Sequence, residues 1–466
     1  MDTRDMSDSF QHSFWLETSC DTLASRPALA RTIEVDVAVL GGGYTGLWTA
    51  YYLLLANPGL KVAVVEKEIV GFGASGRNGG WCSSKFPVTP AMLLKRYGRE
   101  KARALMLAMN DSVDEISRVC QQEGIDAHFH KGGILTLARG EHHVTMLRSA
   151  YDGYARLGLE QQYELLSAEQ VQERVRVTNV SSGLYASQNA SLHPGRLVRG
   201  IARAIERRGG VIYEKTEVLN FEGGSTPKLV TPAGEVRAKR AIVLAGESYL
   251  SRLPSLHRVV LPVYSLIVLT EPLSEGQWSA IGWQNRESLA SCNYTVDYLT
   301  RTADGRILFG SRGAPYRFGS RISDEQDCHA STHAHIEALV AEWFPILKGI
   351  RFTHEWGGPV GMPRDWMPMT AFNPATKIAT ARGYTGQGVS TTNLTGRVLA
   401  QLIEGARTEL TQLVIAQRRS PIWEVEPLRW LAVRYMQDAF RRIDEAGKRG
   451  KPMPLDAPLA KYIGRH

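Results

Sequence analysis

Short apolar runs alternate with amphipathic segments in the first part of the chain. Residues 35–40 and 61–66 are mostly apolar, which is typical of strands buried on both faces of a parallel sheet. Residues 44–56, between them, carry apolar side chains at helical spacing and end at an Asn-Pro-Gly stop in residues 57–59. The pattern predicts a strand–helix–strand unit.

The same two patterns continue along the chain. They predict helices over residues 90–123 and 194–208, and a helix that ends near residue 403. They also predict strands at residues 133–138, 210–214, 241–245 and 377–381.

The middle of the chain has a different pattern. Residues 294–301 and 306–311 alternate between apolar and polar positions, and Thr-Ala-Asp-Gly at residues 302–305 joins them, which predicts a hairpin. Residues 263–270 form a further predicted strand. We therefore expect an antiparallel sheet between the α/β segments.

Composition is that of a globular protein, because 43% of the 466 residues are apolar and 22% are charged. Five scattered cysteines without a CxxC pair disfavour a structural zinc site and fit a reducing compartment. Residues 1–11 lack the apolar core of a secretory signal, and the longest apolar run, residues 47–56, is shorter than the roughly 20 residues that span a bilayer. These features predict a cytoplasmic protein with no metal site.

Most of the net charge of +8 lies near the end of the chain. Residues 411–466 hold 11 Lys and Arg against 6 Asp and Glu, a local charge of +5. No motif that reads nucleic acid accompanies this charge, so no nucleic-acid partner is expected. The excess predicts a basic surface extension.

A GxGxxG motif stands between the first predicted strand and helix. Gly41 permits a tight turn, Gly43 lets the backbone approach a pyrophosphate, and Gly46 lets the helix pack on the strand. The helix start favours the anion. Glu66 ends the second strand 20 residues after Gly46, a position suited to an adenosine ribose. This context favours dinucleotide binding over a simple Gly-rich turn, and FAD or NAD over NADP.

Two further Gly-rich segments point to the same kind of ligand. Residues 71–81, GFGASGRNGGW, follow the second strand and offer many backbone N–H groups with little bulk. Residues 383–390, GYTGQGVS, open the last long predicted helix of the α/β part, where free N–H groups stabilise negative charge. Two helix starts so far apart in sequence fit a two-ended ligand such as FAD. An NAD-dependent dehydrogenase would leave the second start without a role.

Together these motifs resemble the FAD-dependent D-amino-acid oxidase superfamily, which includes glycine oxidase and sarcosine oxidase. Within it the chain is most similar to the γ-glutamylputrescine oxidase-like amine oxidoreductases. The likeness covers about residues 13–405 and rests on GFGASGRNGG at 71–80, CNYTVDY at 292–298 with RTAD at 301–304, and GYTGQGVSTTNLTG at 383–396. It implies oxidation of a C–N bond by hydride transfer to flavin N5, followed by hydrolysis of the imine.

The resemblance implies an α/β plus α+β fold. Residues 33–90, 190–258 and 350–410 would form a discontinuous, Rossmann-like FAD-binding domain. Residues 91–189 and 259–349 would form an inserted substrate domain on an antiparallel sheet. Residues 411–466 would form a C-terminal basic helical extension without a counterpart in those relatives.

The resemblance also implies which residues contact FAD. They lie in the three Gly-rich segments, at the end of the second strand, and at two positions between these segments. In chain order they are Gly41, Gly43, Tyr44, Thr45, Gly46, Glu66, Lys67, Ala74, Ser75, Arg77, Asn78, Gly79, Gly80, Trp81, Val218, Gly246, Gly386, Gln387, Gly388, Val389 and Ser390. FAD is expected to be non-covalent, because sarcosine oxidases tether it through a Cys in a segment that here, at residues 361–370, contains none.

One departure from the family bears on the substrate. α-Amino-acid oxidases of this group grip the substrate carboxylate with an Arg four residues after the Trp of a WxGxR stretch. Here the stretch is WGGPV, from Trp356 to Val360. Val360 cannot form the bidentate pair that Arg forms with a carboxylate. The departure argues against a simple α-amino acid substrate.

Few residues outside the Gly-rich segments are candidates for the substrate pocket. Aromatic side chains could form its walls and an arginine could bind a remote carboxylate or phosphonate, although such residues are more often core or surface residues. The candidates are Tyr264, Tyr294, Trp356 and Arg364. A structural role is preferred for His193, and no general base is identified, because a neutral amine drawn from solution would suffice.

The extension contains an apolar stripe at helical spacing, flanked by arginines. Its members are Leu428, Leu431, Tyr435, Ala439 or Phe440, and Ile443. A basic amphipathic helix can lie on an anionic membrane. Docking against the protein's own body or a second subunit is the preferred interpretation.

The expected activity is oxidation of a primary amine that is γ-glutamyl-linked or otherwise ω-functionalised, with aminophosphonates as a further class. O2 or another molecule would accept the electrons. One alternative is a secondary-amine or amino-acid dehydrogenase that passes electrons to a quinone. Another is a non-catalytic flavin-binding protein. A homo-oligomer is compatible with each.

Overall fold

A computed structural model describes residues 13–312 and 314–464. The expectation that residues 1–11 lack a secretory signal falls outside this part of the chain. The strands within it, β1 to β18 in chain order, are Ile33–Leu40, Val62–Val65, Trp81–Ser83, Ile134–Ala138, Tyr163–Ser167, Ser182–Ala186, Asn189–Ser191, Val211–Tyr213, Asn220–Glu222, Lys228–Thr231, Gly234–Leu244, Leu261–Thr270, Ser288–Ser291, Asp297–Arg301, Ile307–Arg312, Phe352–Met362, Met369–Asn373 and Ile378–Arg382. The helices, α1 to α12, are Phe14–Glu17, Tyr44–Ala56, Pro90–Tyr97, Arg99–Glu123, Glu141–Arg156, Ala168–Arg174, Pro194–Arg207, Glu275–Ile281, Ala330–Trp343, Gly388–Ile403, Leu428–Lys448 and Ala457–Gly464.

The first sheet contains the strand–helix–strand unit that the sequence predicts. Its order is β17–β18–β11–β1–β2–β8, with β17 antiparallel at one edge, the other five parallel, and β9 and β10 attached to β11. Val37 and Val39 of β1 pack with α2, α7 and α10 on one face, while Ala38 packs into a second core on the other. Burial on both faces explains why this strand is an apolar run.

The second sheet has the order β16–β12–β15–β14–β13–β4–β6–β5. Its neighbours are antiparallel except β13 and β4, which pair in parallel. This parallel pair joins the two inserted segments, because β4 to β6 precede the first sheet's β8 and β12 to β15 follow its β11. The fold prediction of a Rossmann-like domain with an inserted, largely antiparallel sheet is confirmed.

Two segments lie elsewhere than the predicted domain boundaries place them. β16, assigned by the sequence to the FAD-binding domain, pairs along most of its length with β12 of the second sheet. α4, assigned to the substrate domain, buries Val113 and Ile116 in the core that α2 and α10 form against the first sheet. Both differences arise from long-range packing. The predicted helix over 90–123 is also interrupted at Gly98, whose φ of 79° ends α3.

The extension packs on the body of the protein. Trp423, Val433 and Met436 share a buried cluster with Leu261 and Met362 of the second sheet. The Trp423 indole N–H donates to the Met362 carbonyl at 2.8 Å. α12 in turn packs on α11 through Ala457 and Ala460.

The buried face of α11 differs from the predicted stripe. Leu428 and Leu431 are 61% and 54% exposed. The buried apolar positions are Val433, Met436, Ala439 and Ile443. Two apolar stripes overlap in this helix, and contact with the second sheet decides which one is buried.

Within residues 13–312 and 314–464, no helix is both long and apolar enough to cross a membrane.

Candidate active site

The carboxyl ends of the parallel strands in the first sheet open on a cavity of about 490 Å³. Gly41 follows β1, Glu66 follows β2, Ala245 follows β11 and Tyr384 follows β18, and all four line it. Since β1 and β11 separate β2 from β18, these two sides of the cavity are roughly 14 Å apart at ordinary strand spacing. Ligands of open α/β sheets bind at this edge.

The first Gly-rich turn is tightly packed. Gly41 has a φ of 106°, which favours glycine. A Cβ atom on Gly46 would lie 2.1 Å from the Gly41 carbonyl oxygen, so only glycine lets α2 approach β1 this closely. Gly43 is the N-cap of α2, and Ser75 Oγ accepts from the Tyr44 N–H at 2.8 Å. The turn presents the start of α2 to the cavity.

Backbone hydrogen bonds fix the Glu66 carboxylate. One oxygen accepts from the Gly42 N–H at 2.7 Å and the other from the Glu68 N–H at 2.9 Å. Burial raises the pKa of the carboxyl, while these N–H groups act in the opposite direction. Both oxygens are thus oriented on the wall of the cavity, where hydroxyl donors of a ribose can reach their free lone pairs.

Side chains of the loop at residues 71–81 fix its conformation. The Asn78 amide donates to the carbonyls of Ala74 and Ser75, and its oxygen accepts from the Gly80 N–H at 2.9 Å. Arg77 pairs with the Asp327 carboxylate at 2.5 Å. These contacts hold a polar backbone surface open toward the cavity.

The helix start at Gly388 opens on the same cavity as that of α2. A Cβ on Gly396 would lie 2.6 Å from the Trp48 Cβ, so glycine lets α10 and α2 pack closely. At their N-terminal ends, the Thr45 and Tyr384 hydroxyls share a hydrogen bond of 2.8 Å. Two sets of N-terminal N–H groups therefore face one space, and both favour negative charge.

Glu247, which the sequence interpretation missed, supports the third Gly-rich segment. Its carboxylate accepts from the Gly383 N–H at 2.9 Å and the Tyr384 N–H at 3.3 Å. Its φ of 47° is unusual for a residue with a side chain. Burial raises the pKa of this carboxyl to about 7. Glu247 thus fixes the loop that leads into α10.

The second sheet closes the far end of the cavity. Its lining residues there are Ser265, Val296, Tyr298, Arg312, Gly358 and Val360. The Tyr298 ring occupies the space that side chains on Gly79 and Gly310 would need, and its hydroxyl bonds Ser265 Oγ at 2.9 Å. Val296 lines this end with a φ of 61°, an outlier for a β-branched residue.

The extension holds the loop that carries Val296. The buried Asp444 carboxylate of α11 accepts from the Tyr294 N–H at 3.0 Å, the Thr295 N–H at 2.9 Å and the Thr295 hydroxyl at 2.9 Å. Tyr294 stacks on Phe440 of the same helix. The wall of the cavity at Val296 therefore depends on a helix outside the two sheets.

Most residues proposed to contact FAD lie on this one cavity. They are Gly41, Gly43, Tyr44, Thr45, Glu66, Lys67, Ala74, Ser75, Arg77, Asn78, Gly79, Trp81, Val218, Gly246, Gly386, Gln387, Gly388 and Val389. Gly46, Gly80 and Ser390 lie behind the lining. Gly46 packs on β1, Gly80 lies close to the Leu192 carbonyl, and the Ser390 hydroxyl donates to the Ser83 carbonyl.

The four substrate-pocket candidates are not among the residues that line this cavity. The Tyr264 hydroxyl bonds the Ser323 backbone, and Tyr294 faces α11. The Trp356 indole donates to the Arg77 carbonyl at 2.9 Å. Arg364 pairs with Glu424 of the extension at 2.8 Å. Aromatic residue type alone could not separate pocket walls from core.

His193 has a structural position. It is the N-cap of α7, where Nδ1 accepts from the Arg196 N–H at 3.2 Å. Burial lowers the pKa of its imidazole to about 3. Across the described ranges, no group of three or more His, Cys, Asp or Glu could hold a metal ion.

Comparison with known proteins assigns the chain to a family. The sequence profile described as FAD dependent oxidoreductase (DAO) matches residues 36–402. The chain belongs to this family. Gamma-glutamylputrescine oxidoreductase of Escherichia coli (strain K12) is 33% identical over 400 residues, which cover 84% of this chain and 89% of that protein.

Two solved structures share the fold of this chain. Glycine oxidase from Geobacillus kaustophilus matches with a TM-score of 0.67 and 22% identity, over 83% of this chain and 99% of that one. L-Proline dehydrogenase from P. horikoshii matches with a TM-score of 0.66 and 20% identity, over 83% and 96%. The family resemblance is confirmed, and this DAO-family chain is an FAD-dependent oxidoreductase of amines or amino acids.

The cavity of this DAO-family chain fits FAD chemically. Glu66 offers acceptors for a ribose on the β2 side, and the helix starts at Gly43 and Gly388 offer N–H donors for anionic groups. A side chain on Gly43 would approach Ser75 Oγ to 3.0 Å and would close the space beside α2. The same residues would hold the cofactor when it binds.

Glu66→Gln is expected to weaken FAD binding by the DAO-family chain roughly 10- to 100-fold. The amide replaces one acceptor by a donor that faces a backbone N–H, and it removes the charge that strengthens the ribose hydrogen bonds. FAD titration of the apoprotein, followed by flavin fluorescence, measures the change. Glu34→Gln, at an exposed site on β1, is the control and should leave the Kd unchanged. Equal Kd values for the two variants would contradict the assignment.

Proposed function

We propose that the chain oxidises the C–N bond of a primary amine whose further functional group lies remote from the nitrogen. γ-Glutamyl-linked and other ω-functionalised amines are the proposed class, with aminophosphonates included. The observation that supports this is Val360 on the cavity wall, 4.0 Å from the Cβ position of Gly386. The Val360 side chain itself cannot form the bidentate pair that an arginine forms with an α-carboxylate. The name of the Escherichia coli relative, Gamma-glutamylputrescine oxidoreductase, agrees with this class.

The residues at the far end of the cavity would position the amine. Bound FAD supplies the two-electron acceptor for the oxidation. Val296 and Val360 line the far end of the cavity with apolar side chains, and the Tyr298 ring lies at the same end. Burial raises the pKa of Tyr298 to about 12, so its hydroxyl stays protonated near neutral pH. Tyr298 is therefore not expected to act as the base that takes a proton from the amine.

Non-covalent attachment of FAD belongs to the same proposal. The residues that line the cavity include no cysteine. Residues 361–370, where the sarcosine oxidases carry their tether, also contain none.

An anaerobic titration of the purified holoprotein tests the proposal. Amines with a remote functional group, aminophosphonates and α-amino acids are added in turn while flavin absorbance is followed. We expect one of the first two groups to bleach the flavin. Bleaching by α-amino acids alone would reject the argument from Val360 but keep the enzyme class. A flavin that no amine reduces would support a non-catalytic binding protein.

The same reduced protein separates an oxidase from a dehydrogenase. Oxygen consumption that matches flavin reoxidation would identify O2 as the acceptor. Reoxidation by a quinone or dye but not by air would support the dehydrogenase alternative.

A further inference from the structure

A half-buried arginine, Arg312, lies at the far end of the cavity, beside Val360. Arg312 is the last residue of β15, and its side chain lines the cavity. A Cβ atom on Gly386 would lie 3.4 Å from Arg312 Nη2 and 4.0 Å from Val360 Cγ1. Arg312, Val360 and Gly386 therefore meet at one point of the wall.

The Arg312 guanidinium has unused hydrogen-bonding capacity. Nη2 donates to the Thr385 carbonyl at 3.2 Å. Within residues 13–312 and 314–464, this is the hydrogen bond recorded for its side chain, and no carboxylate forms an ion pair with it. A guanidinium carries five N–H donors. Because Arg312 lines the cavity, its remaining donors are available to a ligand that binds there.

Two other cationic side chains of the cavity have carboxylate partners: Lys67 pairs with Glu217 at 2.8 Å, and Arg77 pairs with Asp327 at 2.5 Å. A third, Arg252, lies over the Tyr249 ring. Burial lowers the pKa of the Arg312 guanidinium, while Tyr298 beside it acts in the opposite direction. A partly desolvated cation without an anionic partner is less stable than a paired one, so a ligand that supplies the anion gains a charge-assisted hydrogen bond.

We propose that Arg312 binds an anionic group, a carboxylate or phosphonate, at the remote end of the amine substrate. This inference rests on the proposed function and narrows its substrate class to amines that carry such an anion. Val360 does not satisfy the guanidinium, since an aliphatic side chain can neither form an ion pair with it nor accept a hydrogen bond from it. The planar fork of Arg312 suits both anions, because it can bind two oxygens at once.

Binding of simple anions to the holoprotein tests this without turnover. Pentanoate, propylphosphonate and neutral pentanamide are titrated while the visible flavin spectrum is followed. The variants are Arg312→Met, Arg312→Lys and the control Arg321→Met, whose arginine is exposed. FAD content and the ligand-free flavin spectrum are measured for each.

In the unaltered protein we expect both anions to shift the spectrum more strongly than pentanamide. Arg312→Met should raise the Kd of the anions roughly 10- to 150-fold and leave that of pentanamide unchanged. Arg312→Lys should recover part of this loss, because it restores the charge without the fork. Arg321→Met should match the unaltered protein. If pentanoate and propylphosphonate differ, the tighter ligand identifies the anion.

Two results would overturn the inference. One is an anion Kd that Arg312→Met leaves unchanged. The other is loss of FAD from Arg312→Met, with anion affinity retained after FAD is restored, which would assign Arg312 to the cofactor.

Failure of the proposed function gives a different pattern. If anion binding depends on Arg312 but no amine reduces the flavin, the anion site is supported and the proposed amine oxidation is rejected. A different result is that amines with and without a remote anion reduce the flavin equally well, and that both reductions are unchanged in Arg312→Met. That result would support amine oxidation and reject the anion site.

Discussion

Gly46→Ala is expected to remove bound FAD from the purified protein and to lower the free energy of unfolding by about 3 kcal/mol. The added Cβ would lie 2.1 Å from the Gly41 carbonyl oxygen and 2.9 Å from Val39 Cγ1. Relief requires α2 to move away from β1, and this movement also displaces the N–H groups at the start of α2. Thermal unfolding and the flavin absorbance of the purified variant measure the two effects.

Gly59→Ala is the matched control. Gly59 lies just beyond α2, and a Cβ there would find its nearest neighbour, Asn57 Oδ1, at 3.7 Å. Since this is ordinary contact, the Tm and flavin content of this variant should equal those of the unaltered protein. A Gly46→Ala protein that stays yellow with an unchanged Tm would show that the close helix–strand contact is not required.

Truncation after Arg419 is expected to lower the Tm strongly and to impair substrate binding even where FAD is retained. The deletion removes Trp423, which is 3% exposed, from its cluster with Leu261 and Met362. Loss of one buried Trp side chain alone is worth about 3–5 kcal/mol. The deletion also removes Asp444, so the loop at residues 293–296 loses the hydrogen bonds that hold it against the cavity.

A shorter truncation separates these effects. A chain that ends at Gly450 loses α12 but keeps α11, Trp423 and Asp444. It should show a smaller fall in Tm and normal reduction of the flavin by substrate. If the chain that ends at Arg419 behaves like the one that ends at Gly450, the extension does not support the cavity wall. Liposome flotation of both chains tests the membrane alternative. That alternative requires that the chain ending at Gly450, which keeps α11, binds liposomes and that the chain ending at Arg419 does not.

Local patterns in the sequence predicted the parts of the fold that local forces determine. The helix predicted over residues 44–56 matches α2, and the Thr-Ala-Asp-Gly turn joins β14 to β15 as expected. Glycine is required at Gly41 and Gly46 of the first motif because a Cβ atom there would lie too close to neighbouring backbone atoms. Such requirements are visible in the residue type alone.

Long-range packing explains what the sequence did not reveal. Tyr264 and Trp356 are aromatic residues of the type that often lines a pocket. Their polar atoms, however, form hydrogen bonds with backbone groups inside the protein. Arg312 could have been found from alternation along β15, because it shares a face with Leu308 and Leu308 packs with Trp356. That inference needs the position of a second strand, β16, which local pattern does not supply.

The buried face of α11 illustrates the same limit. Leu428 and Leu431 satisfy helical spacing as well as Val433 and Met436 do. Only the apolar surface of β12 and β16 decides between them.

The position of β18 affects the order in which the sheet can be completed during synthesis. β18 pairs with residues 242–244 of β11, although about 130 residues of the second sheet and its helices separate them in the chain. Until residues 378–382 emerge, that part of β11 is an open sheet edge of the kind that pairs with other chains. Any fragment that ends between residues 259 and 377 keeps this edge exposed and also lacks the second helix start at the cavity. The two sheets therefore cannot be produced as separate, intact domains by cutting the chain once.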